Sequence, residues 1–246
     1  MLQLLLACQF LTVVPVTVRG PVGEKDLAAA MAWFPLVGLL LGAAAAGAYM
    51  VTRLVSASLL SAFVPLAFLV VITGNMHGDG LMDAADGLGS GRPADQALSI
   101  MKDSHVGAHG VMAGILGFLA KLLLLGALTP TGKIAALALV PALGRWAQVY
   151  AAGTNPYVRP GGGKGGFTKY VGSRELVLAS ATVLAAAGLV LGPKGAVLAG
   201  VVLAATWLAG HYVRKRIGGV TGDTLGALSE LMEIVGFAVM LVLGKF

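Results

Sequence analysis

Seven segments of this chain are apolar over lengths that suit, or approach, a membrane-spanning helix. A helix crosses a bilayer with roughly 17–25 predominantly apolar residues. Only 11% of the 246 residues are charged, whereas a soluble domain has about 25%. The candidate spans are residues 27–52, 54–75, 106–129, 134–152, 175–191, 195–213 and 231–244, of which the last is the shortest. The sequence therefore predicts an all-α fold, a single polytopic membrane domain over residues 1–246 with about seven transmembrane helices in a lipid bilayer.

Three further features narrow the class of protein. The apolar run at residues 2–14 is too short for a full span, so it leaves an eighth crossing open. The single Cys8 excludes an intrachain disulfide framework and a cysteine-rich metal site. The net charge of +6 comes without a basic patch interleaved with aromatic residues, which argues against nucleic acid as a partner.

The charged residues are distributed unevenly between the two sides that seven spans would create. Residues 1–26, 76–105, 153–174 and 214–230 would share one side. That side carries eleven of the seventeen lysines and arginines, and the other carries four. The positive-inside rule makes the eleven-cation side cytoplasmic. All eleven acids fall on that side or at its edge, which predicts acidic loops that form one active site facing the cytoplasm.

The densest acidic motif contains Asp79, Asp83 and Asp86. On a helix, offsets of four and seven residues place these carboxylates within an arc of about 60°. Three acids on one face repel each other unless a cation holds them. Carboxylate oxygens are hard ligands that suit Mg²⁺, which keeps several waters and bridges to substrate phosphates. This motif predicts a magnesium site, and a solvated acidic loop is the alternative.

A second motif covers residues 100–110. Asp103 is a candidate to complete the metal site or orient a nucleophile, and Lys102 to neutralise phosphate charge. Ser104 lies where the chain re-enters the membrane as a helix, so the free N–H groups there could meet an anion. The alternative is an ordinary helix cap by Ser104 with a snorkelling Lys102.

A third motif opens a helix with Thr221 or Asp223 as its cap. Asp223 and Glu230 are seven residues apart and share a helical face, which makes them candidates to add metal ligands to the first motif. An acid at a helix start is also ordinary capping.

The glycine-rich segment at 159–169 carries Arg159 and Lys164. Flexible glycines with cations suit a lid over phosphates, and they equally suit a linker beside anionic lipid. His77 flanks the acids and is a candidate for a polar contact to substrate. Arg145 is predicted inside a span, where a charge is costly unless paired, so it points towards the acids or a phosphate, or else snorkels to the interface.

Five segments occur in an order that is typical of one family. They read Phe10-Leu-Thr-Val-Val-Pro15, Trp33-Phe-Pro-Leu-Val-Gly38, residues 79–87, Ile100-Met-Lys-Asp-Ser104 with Gly107, and Gly222-Asp-Thr-Leu-Gly-Ala227 with Glu230. From about residue 7 to residue 235 the chain resembles the cobalamin synthases, also called adenosylcobinamide-GDP ribazoletransferases. Two departures are visible. Asn75-Met-His-Gly78 replaces a more usual Gly-Leu-His-Leu, and His105 stands where the family often has Arg, which leaves one fewer cation for phosphate.

The resemblance implies a Mg²⁺-dependent enzyme of cobalamin (vitamin B12) biosynthesis. It would join adenosylcobinamide-GDP to alpha-ribazole or its 5′-phosphate, giving adenosylcobalamin or its 5′-phosphate and releasing GMP. The expected partners are these substrates and the bilayer of a bacterial or archaeal cytoplasmic (inner) membrane. A homo-oligomer, or a complex with other enzymes of nucleotide-loop assembly, is left open.

A compatible mechanism assigns roles to the candidate residues. Asp79, Asp83 and Asp86 hold Mg²⁺ against the diphosphate, with Asp223 and Glu230 as further candidate ligands. Asp103 or Asp223 adds a ligand or accepts the proton of the attacking ribose hydroxyl. The remaining candidates bind substrate or stabilise charge on its phosphates: Lys102, Arg145, Arg159, Lys164, Ser104 and His77.

Other classes fit the sequence less well. Intramembrane prenyltransferases carry a second Asp-x-x-x-Asp, but the corresponding stretch here runs from Asp223 to Ala227. CDP-alcohol phosphotransferases need Ala-Arg after Asp-Gly-x-x, where this chain has Asp83-Ala84. A transporter would be expected to place ionisable residues near the bilayer midplane and often to show two related halves, whereas these acids lie at one edge.

Overall fold

The structure is a computed structural model that describes residues 2–56, 59–159, 163 and 165–244. Its regular elements are helices, and within those ranges the backbone pairs in β fashion only at one isolated bridge. The helices are α1 (Leu2–Leu11), α2 (Glu24–Ala30), α3 (Phe34–Val55), α4 (Leu60–Ile72), α5 (Met76–Gly89), α6 (Ala94–Ile100), α7 (Ala108–Ala127), α8 (Pro130–Thr154), α9 (Ser173–Leu191), α10 (Pro193–Ile217) and α11 (Gly222–Leu243). Short 3-10 turns lie at Met31–Trp33 and Gly166–Tyr170.

Six helical segments of the described chain are long and apolar enough to cross a membrane: Glu24–Val55, Ala108–Ala127, Pro130–Thr154, Ser173–Leu191, Pro193–Ile217 and Gly222–Leu243. A seventh crossing is available if α4 and α5, which meet at an angle of 85°, form one bent span. Helix α1 has 10 residues, about half the length that a span requires. The predicted all-α polytopic membrane fold is confirmed.

The predicted spans at 54–75 and 231–244 differ from the structure at their ends. Helix α4 ends at Ile72, because Gly74 and Asn75 both adopt positive φ (59° and 56°) and turn the chain into α5. Glycine, and asparagine more than most residues, tolerate this left-handed conformation. Helix α11 begins at Gly222 and is 22 residues long, so it includes the acids that the sequence placed before the last span.

The predicted acidic loops are therefore largely helical. Asp79, Asp83 and Asp86 lie on α5, and Asp223 lies in the first turn of α11. The acids could be mistaken for loop residues because charged and glycine residues interrupt the apolar run that would otherwise mark a helix in lipid. A helix places these carboxylates more rigidly than a loop would.

Helix α8 forms the centre of the bundle, and nearly all of its residues from Leu139 to Ala152 are buried. It packs against α3 and α11 through small residues. A Cβ atom built on Gly38 of α3 would lie 2.6 Å from the Cα of Ala142, and one built on Gly144 would lie 2.8 Å from the hydroxyl of Ser229 in α11. Such close approach is typical of membrane helices, where small residues let backbones meet.

The chain that leaves α8 is tied to the start of α11. The N–H of Val158 donates to the carbonyl of Val220 at 3.1 Å, and the N–H of Val220 donates to the carbonyl of Pro156 at 2.8 Å. This short pairing fixes the backbone on which Tyr157 and Arg159 stand, next to the N-terminus of α11.

Candidate active site

A cavity of about 510 Å³ opens where α5 crosses the start of α11. Six of the predicted site residues line it: Asp79, Asp83, Asp223, His77, Lys102 and Arg159. Two sequence motifs that are more than 130 residues apart along the chain therefore meet at one place. The other predicted site residues within the described ranges, which are Asp86, Asp103, Ser104, Arg145 and Glu230, do not line this cavity. Lys164 lies outside the described residues.

The crossing of α5 and α11 depends on two glycines. A Cβ atom on Gly80 would lie 2.8 Å from the carbonyl oxygen of Asp223 and 3.2 Å from the Cα of Gly226. The helices therefore meet backbone to backbone, with no space for a side chain between them. This close approach brings the carboxylate-bearing face of α5 to the N-terminus of α11, where the helix dipole favours negative charge.

Asp223 is not the residue that caps α11. The hydroxyl of Thr221 accepts the N–H of Thr224 at 3.2 Å, and the hydroxyl of Thr224 accepts the N–H of Thr221 at 2.8 Å. Of the two predicted caps, Thr221 is the one observed. The carboxylate of Asp223 instead accepts a hydrogen bond from the guanidinium of Arg159 at 2.5 Å.

Asp86 faces a different element. Its carboxylate accepts the N–H of Gly107 at 2.7 Å and the N–H of Gly110 at 2.9 Å. The N-terminus of α7 was predicted to meet an anion, and in this structure Asp86 is that anion. The alternative prediction was a cap by Ser104, but Ser104 lies exposed three residues before the observed N-cap, Gly107.

Asp103 and Lys102 are neighbours in sequence with different surroundings. Lys102 lines the cavity. The carboxylate of Asp103 accepts the backbone N–H of His105 at 3.0 Å and lies 2.7 Å from Nδ1 of the same residue. The bond from the His105 backbone is the main reason that the pKa of Asp103 is lowered, and 58% of its side chain is exposed.

Glu230 belongs to a buried ion network behind the cavity. Nζ of Lys121 lies 2.5 Å from Glu230 and 2.9 Å from Glu233, and Glu233 also accepts a hydrogen bond from Arg145. A second amino group of Arg145 lies 3.3 Å from Nδ1 of His77. Lys121 on α7 and Arg145 on α8 are therefore both paired with acids, as charges in a membrane interior must be.

His77 connects this network to the cavity, because it also lines the cavity wall. Arg145 carries only donors, so the Nδ1 atom that faces it acts as an acceptor. In the neutral imidazole the proton then lies on Nε2, which has no hydrogen-bond partner among the described residues.

Two of the uncharged polar residues in the cavity wall, Tyr157 and Gln148, were missed at the level of sequence. Tyr157 lies beside Arg159, and burial is the main reason that the pKa of its phenol is raised. Gln148 lies on α8 and is 5% exposed. Neither belongs to a charged motif, and only the pairing of the segment after α8 with the start of α11 brings them to the acids.

The residues present fit the chemistry of Mg²⁺. Three carboxylates line one cavity together with two cations suited to phosphate oxygens. Within the described chain no group of three or more His, Cys, Asp or Glu side chains is arranged so that it could hold a metal ion by itself. Magnesium does not require one, because it keeps waters and takes ligands from substrate phosphates.

The fold is an all-helical membrane bundle, and the cavity at one edge of it is lined by carboxylates and by cations that suit phosphate. These two features define a class of polytopic membrane proteins. Within that class, the chain belongs to the cobalamin-5-phosphate synthase family, which it matches over residues 3–241. The resemblance that its motifs predicted is thereby confirmed.

Curated relatives support this assignment along nearly the whole chain. A protein of Desulforamulus reducens named adenosylcobinamide-GDP ribazoletransferase is 41% identical, over 94% of this chain and 92% of its own. Proteins with the same name from Syntrophobacter fumaroxidans and Caldanaerobacter subterraneus subsp. tengcongensis are 39% and 35% identical, over 93% and 95% of this chain and 94% and 95% of their own. No solved structure matches the chain.

Proposed function

We propose that this protein is a Mg²⁺-dependent phosphoryl-group transferase of cobalamin biosynthesis. It joins adenosylcobinamide-GDP to alpha-ribazole, or to its 5′-phosphate, and releases GMP. The observation that carries the proposal is the cavity that contains Asp79 and Asp83 of α5 together with Asp223 of α11 and the cations Lys102 and Arg159. The name shared by the relatives supplies the substrates.

The carboxylates and the cations of the cavity have separate roles in the reaction: the first bind the metal ion, and the second bind phosphate. Asp79 and Asp83 would hold the metal ion, and Asp223 is positioned to add a ligand. The bound Mg²⁺ would neutralise the diphosphate of adenosylcobinamide-GDP. Lys102 and Arg159 bind its phosphate oxygens, so that catalysis consists chiefly of positioning and charge stabilisation.

The remaining candidates take secondary places in this mechanism. Asp86 and Glu230 were also predicted as metal ligands. Asp86 bonds the N-terminus of α7, and Glu230 bonds Lys121. Both acids support the site through those contacts. Arg145 supports it through His77. Either Asp223 or Asp103 accepts the proton of the attacking ribose hydroxyl, and Asp223 is favoured because it lines the cavity.

The central test is release of GMP by the purified protein in detergent or liposomes. The wild type should release GMP only when adenosylcobinamide-GDP, alpha-ribazole and Mg²⁺ are all present. Asp83→Asn should lower turnover at least about a hundredfold, because removing a charged group that acts on the transferring phosphoryl costs several kcal/mol. Near-normal turnover of Asp83→Asn with saturating Mg²⁺ would refute the metal-ligand role.

The identity of the proton acceptor is tested by two matched variants. If Asp223 is the acceptor, Asp223→Asn lowers turnover far more than it weakens substrate binding, while Asp103→Asn stays near the wild type. The reverse pattern would assign the proton to Asp103.

We also propose that the cavity faces the cytoplasm at the inner membrane. Eleven of the seventeen cations lie on its side by the sequence-based topology. Single cysteines at Asp95 and Lys194, in a Cys8→Ser background, test this in inverted inner-membrane vesicles. A membrane-impermeant maleimide should label the cysteine at position 95 alone, and labelling at position 194 alone would reverse the orientation.

A further inference from the structure

One part of the cavity has an aromatic wall. The rings of Phe10 and Phe34 stack with centroids 5.6 Å apart and an interplanar angle of 22°. The ring of Phe167 meets Phe10 edge to face at 5.4 Å. All three line the cavity, together with Met31. The cavity is therefore divided into a charged end and an apolar, aromatic end.

The three rings come from separate parts of the chain. Phe10 lies near the end of α1, Phe34 opens α3, and Phe167 lies in the turn Gly166–Tyr170. Phe34 and Phe167 are 2% and 4% exposed, so the wall is firmly packed from behind. A rigid aromatic surface of this kind suits a flat, apolar ring system, which gains both burial and stacking.

One amide accompanies the aromatic wall. Gln148 lines the cavity and is 95% buried. None of the hydrogen bonds found among the described residues involves its side chain. Its amide atoms are not among the fully buried polar atoms that lack a partner, so they are accessible from the cavity and free to bond a ligand there.

The packing of α8 against α11 fixes the position of this amide along the helix axes. Gly144 of α8 is opposite Ser229 of α11, and the two helices run in opposite directions. Gln148, one turn beyond Gly144, is therefore level with Leu225, one turn before Ser229. Leu225 also lines the cavity, and Asp223 lies two residues before it. One bound substrate molecule can therefore reach from the amide of Gln148 to the carboxylate end.

We propose that the aromatic end binds the base of alpha-ribazole, with the amide of Gln148 donating a hydrogen bond to the unsubstituted ring nitrogen. This inference rests on the proposed function and specifies which substrate occupies the cavity. The ribose then extends towards Asp223 and the metal ligands, where its hydroxyl meets the phosphoryl group.

The chemistry of the wall favours this base over guanine. A benzimidazole offers a flat hydrocarbon surface and one free acceptor nitrogen, which a single amide satisfies. Guanine presents several donors and acceptors on its edge, and against phenylalanine and methionine most of them would lose their hydrogen bonds to water. Burying polar groups without new hydrogen-bond partners costs free energy, which disfavours guanine at this wall.

The volume also restricts what the cavity encloses. At about 510 Å³ it falls within the range of roughly 300–1,000 Å³ that is usual for small-ligand sites. A nucleoside phosphate fits such a space. The corrin ring with its many side chains is far bulkier, so it stays at the mouth of the cavity with only its diphosphate arm inside.

The test measures equilibrium binding of alpha-ribazole and of GMP to the full-length protein in detergent. Gln148→Met and Phe167→Leu should each weaken alpha-ribazole binding about tenfold, as expected for a lost hydrogen bond or ring contact, and leave GMP binding unchanged. In turnover, the KM for alpha-ribazole should rise while that for adenosylcobinamide-GDP stays constant. Phe167→Tyr, which keeps the ring, should restore alpha-ribazole binding.

Phe63→Leu is the matched control, because Phe63 forms an edge-to-face pair with Phe118 away from this wall and is 43% exposed. It should leave both affinities unchanged. If Gln148→Met and Phe167→Leu weaken GMP instead, or leave alpha-ribazole unaffected while the wild type still releases GMP, this inference alone is wrong. If the wild type releases no GMP and does not bind alpha-ribazole, the proposed function is wrong and the inference with it.

Discussion

The guanidinium of Arg159 and the carboxylate of Asp223 form an ion pair of 2.5 Å that joins the segment after α8 to the first turn of α11. Their side chains are 15% and 19% exposed, so the pair is only weakly screened by water. A metal ion held by Asp79 and Asp83 would lie near the same carboxylate. Arg159 and the metal ion would therefore compete for Asp223, and a bound diphosphate would offer Arg159 another partner.

Replacing Arg159 should lower the Mg²⁺ concentration that the reaction needs and raise the substrate concentration that it needs. In Arg159→Ala, Asp223 is released, so half-maximal activity should be reached at a Mg²⁺ concentration several-fold lower than in the wild type. The KM for adenosylcobinamide-GDP should rise about tenfold, because a cation that binds its phosphates is lost. Mg²⁺ titrations at saturating substrate, and substrate titrations at saturating Mg²⁺, measure the two effects separately.

Arg53→Ala is the control for this experiment, since Arg53 is an exposed arginine in the last turn of α3. It should change neither quantity. A Mg²⁺ requirement that rises in Arg159→Ala would contradict competition between the arginine and the metal ion.

Asp86 should act mainly on stability. Its carboxylate accepts two backbone N–H groups at the start of α7, and losing such a helix cap costs about 0.5–2 kcal/mol. Asp86→Ala should therefore lower the thermal unfolding temperature in detergent while keeping the Mg²⁺ dependence of turnover. Asp83→Asn should show the opposite pattern. If Asp86→Ala raises the required Mg²⁺ concentration as strongly as Asp83→Asn, Asp86 is a metal ligand after all.

The sequence was sufficient to predict the membrane fold and to single out six residues that line the cavity. Bilayer physics restricts a spanning chain to long apolar helices, and an acidic cluster stands out clearly against so few charges. The spacing of Asp79, Asp83 and Asp86 correctly placed them on one helix. Periodicity specifies which residues share a face, but it does not specify what the face contacts, and so the bond between Asp86 and α7 was not foreseen.

The aromatic end of the cavity could not be predicted for a different reason. Phe10, Phe167 and Gln148 carry no distinctive charge or spacing, and in a chain that is 57% hydrophobic each resembles ordinary core. They become neighbours only through the packing of α1, α8 and the turn before α9. A single sequence contains no signal for such contacts between distant segments.

The crossing at Gly80 gives a third prediction. In Gly80→Ala the new methyl group would meet the backbone of Asp223 at 2.8 Å, and backbone cannot move aside as a flexible side chain can. Helix α5 should shift away from α11 and separate Asp79 and Asp83 from Asp223. We expect turnover to fall at least about a hundredfold, since an ångström of misplacement can cost that much.

The matched control is Gly47→Ala on α3, where an added Cβ meets nothing within 4 Å. This variant should keep full activity and gain up to about 1 kcal/mol of stability, because alanine favours a helix more than glycine does. Wild-type turnover in Gly80→Ala would show that the close contact of α5 and α11 is not needed for catalysis.

The last prediction concerns Lys121, which neutralises two glutamates inside the bundle. Lys121→Met leaves Glu230 and Glu233 with Arg145 as their only described cation, and an uncompensated buried charge costs about 3–5 kcal/mol. The unfolding temperature in detergent should therefore fall sharply.

Adding Glu230→Gln restores the charge balance and should recover a large part of the loss. The control is Lys215→Met, at an exposed position of α10, which should have little effect by itself. A double variant no more stable than Lys121→Met would mean that the lysine contributes through packing of its side chain rather than through its charge.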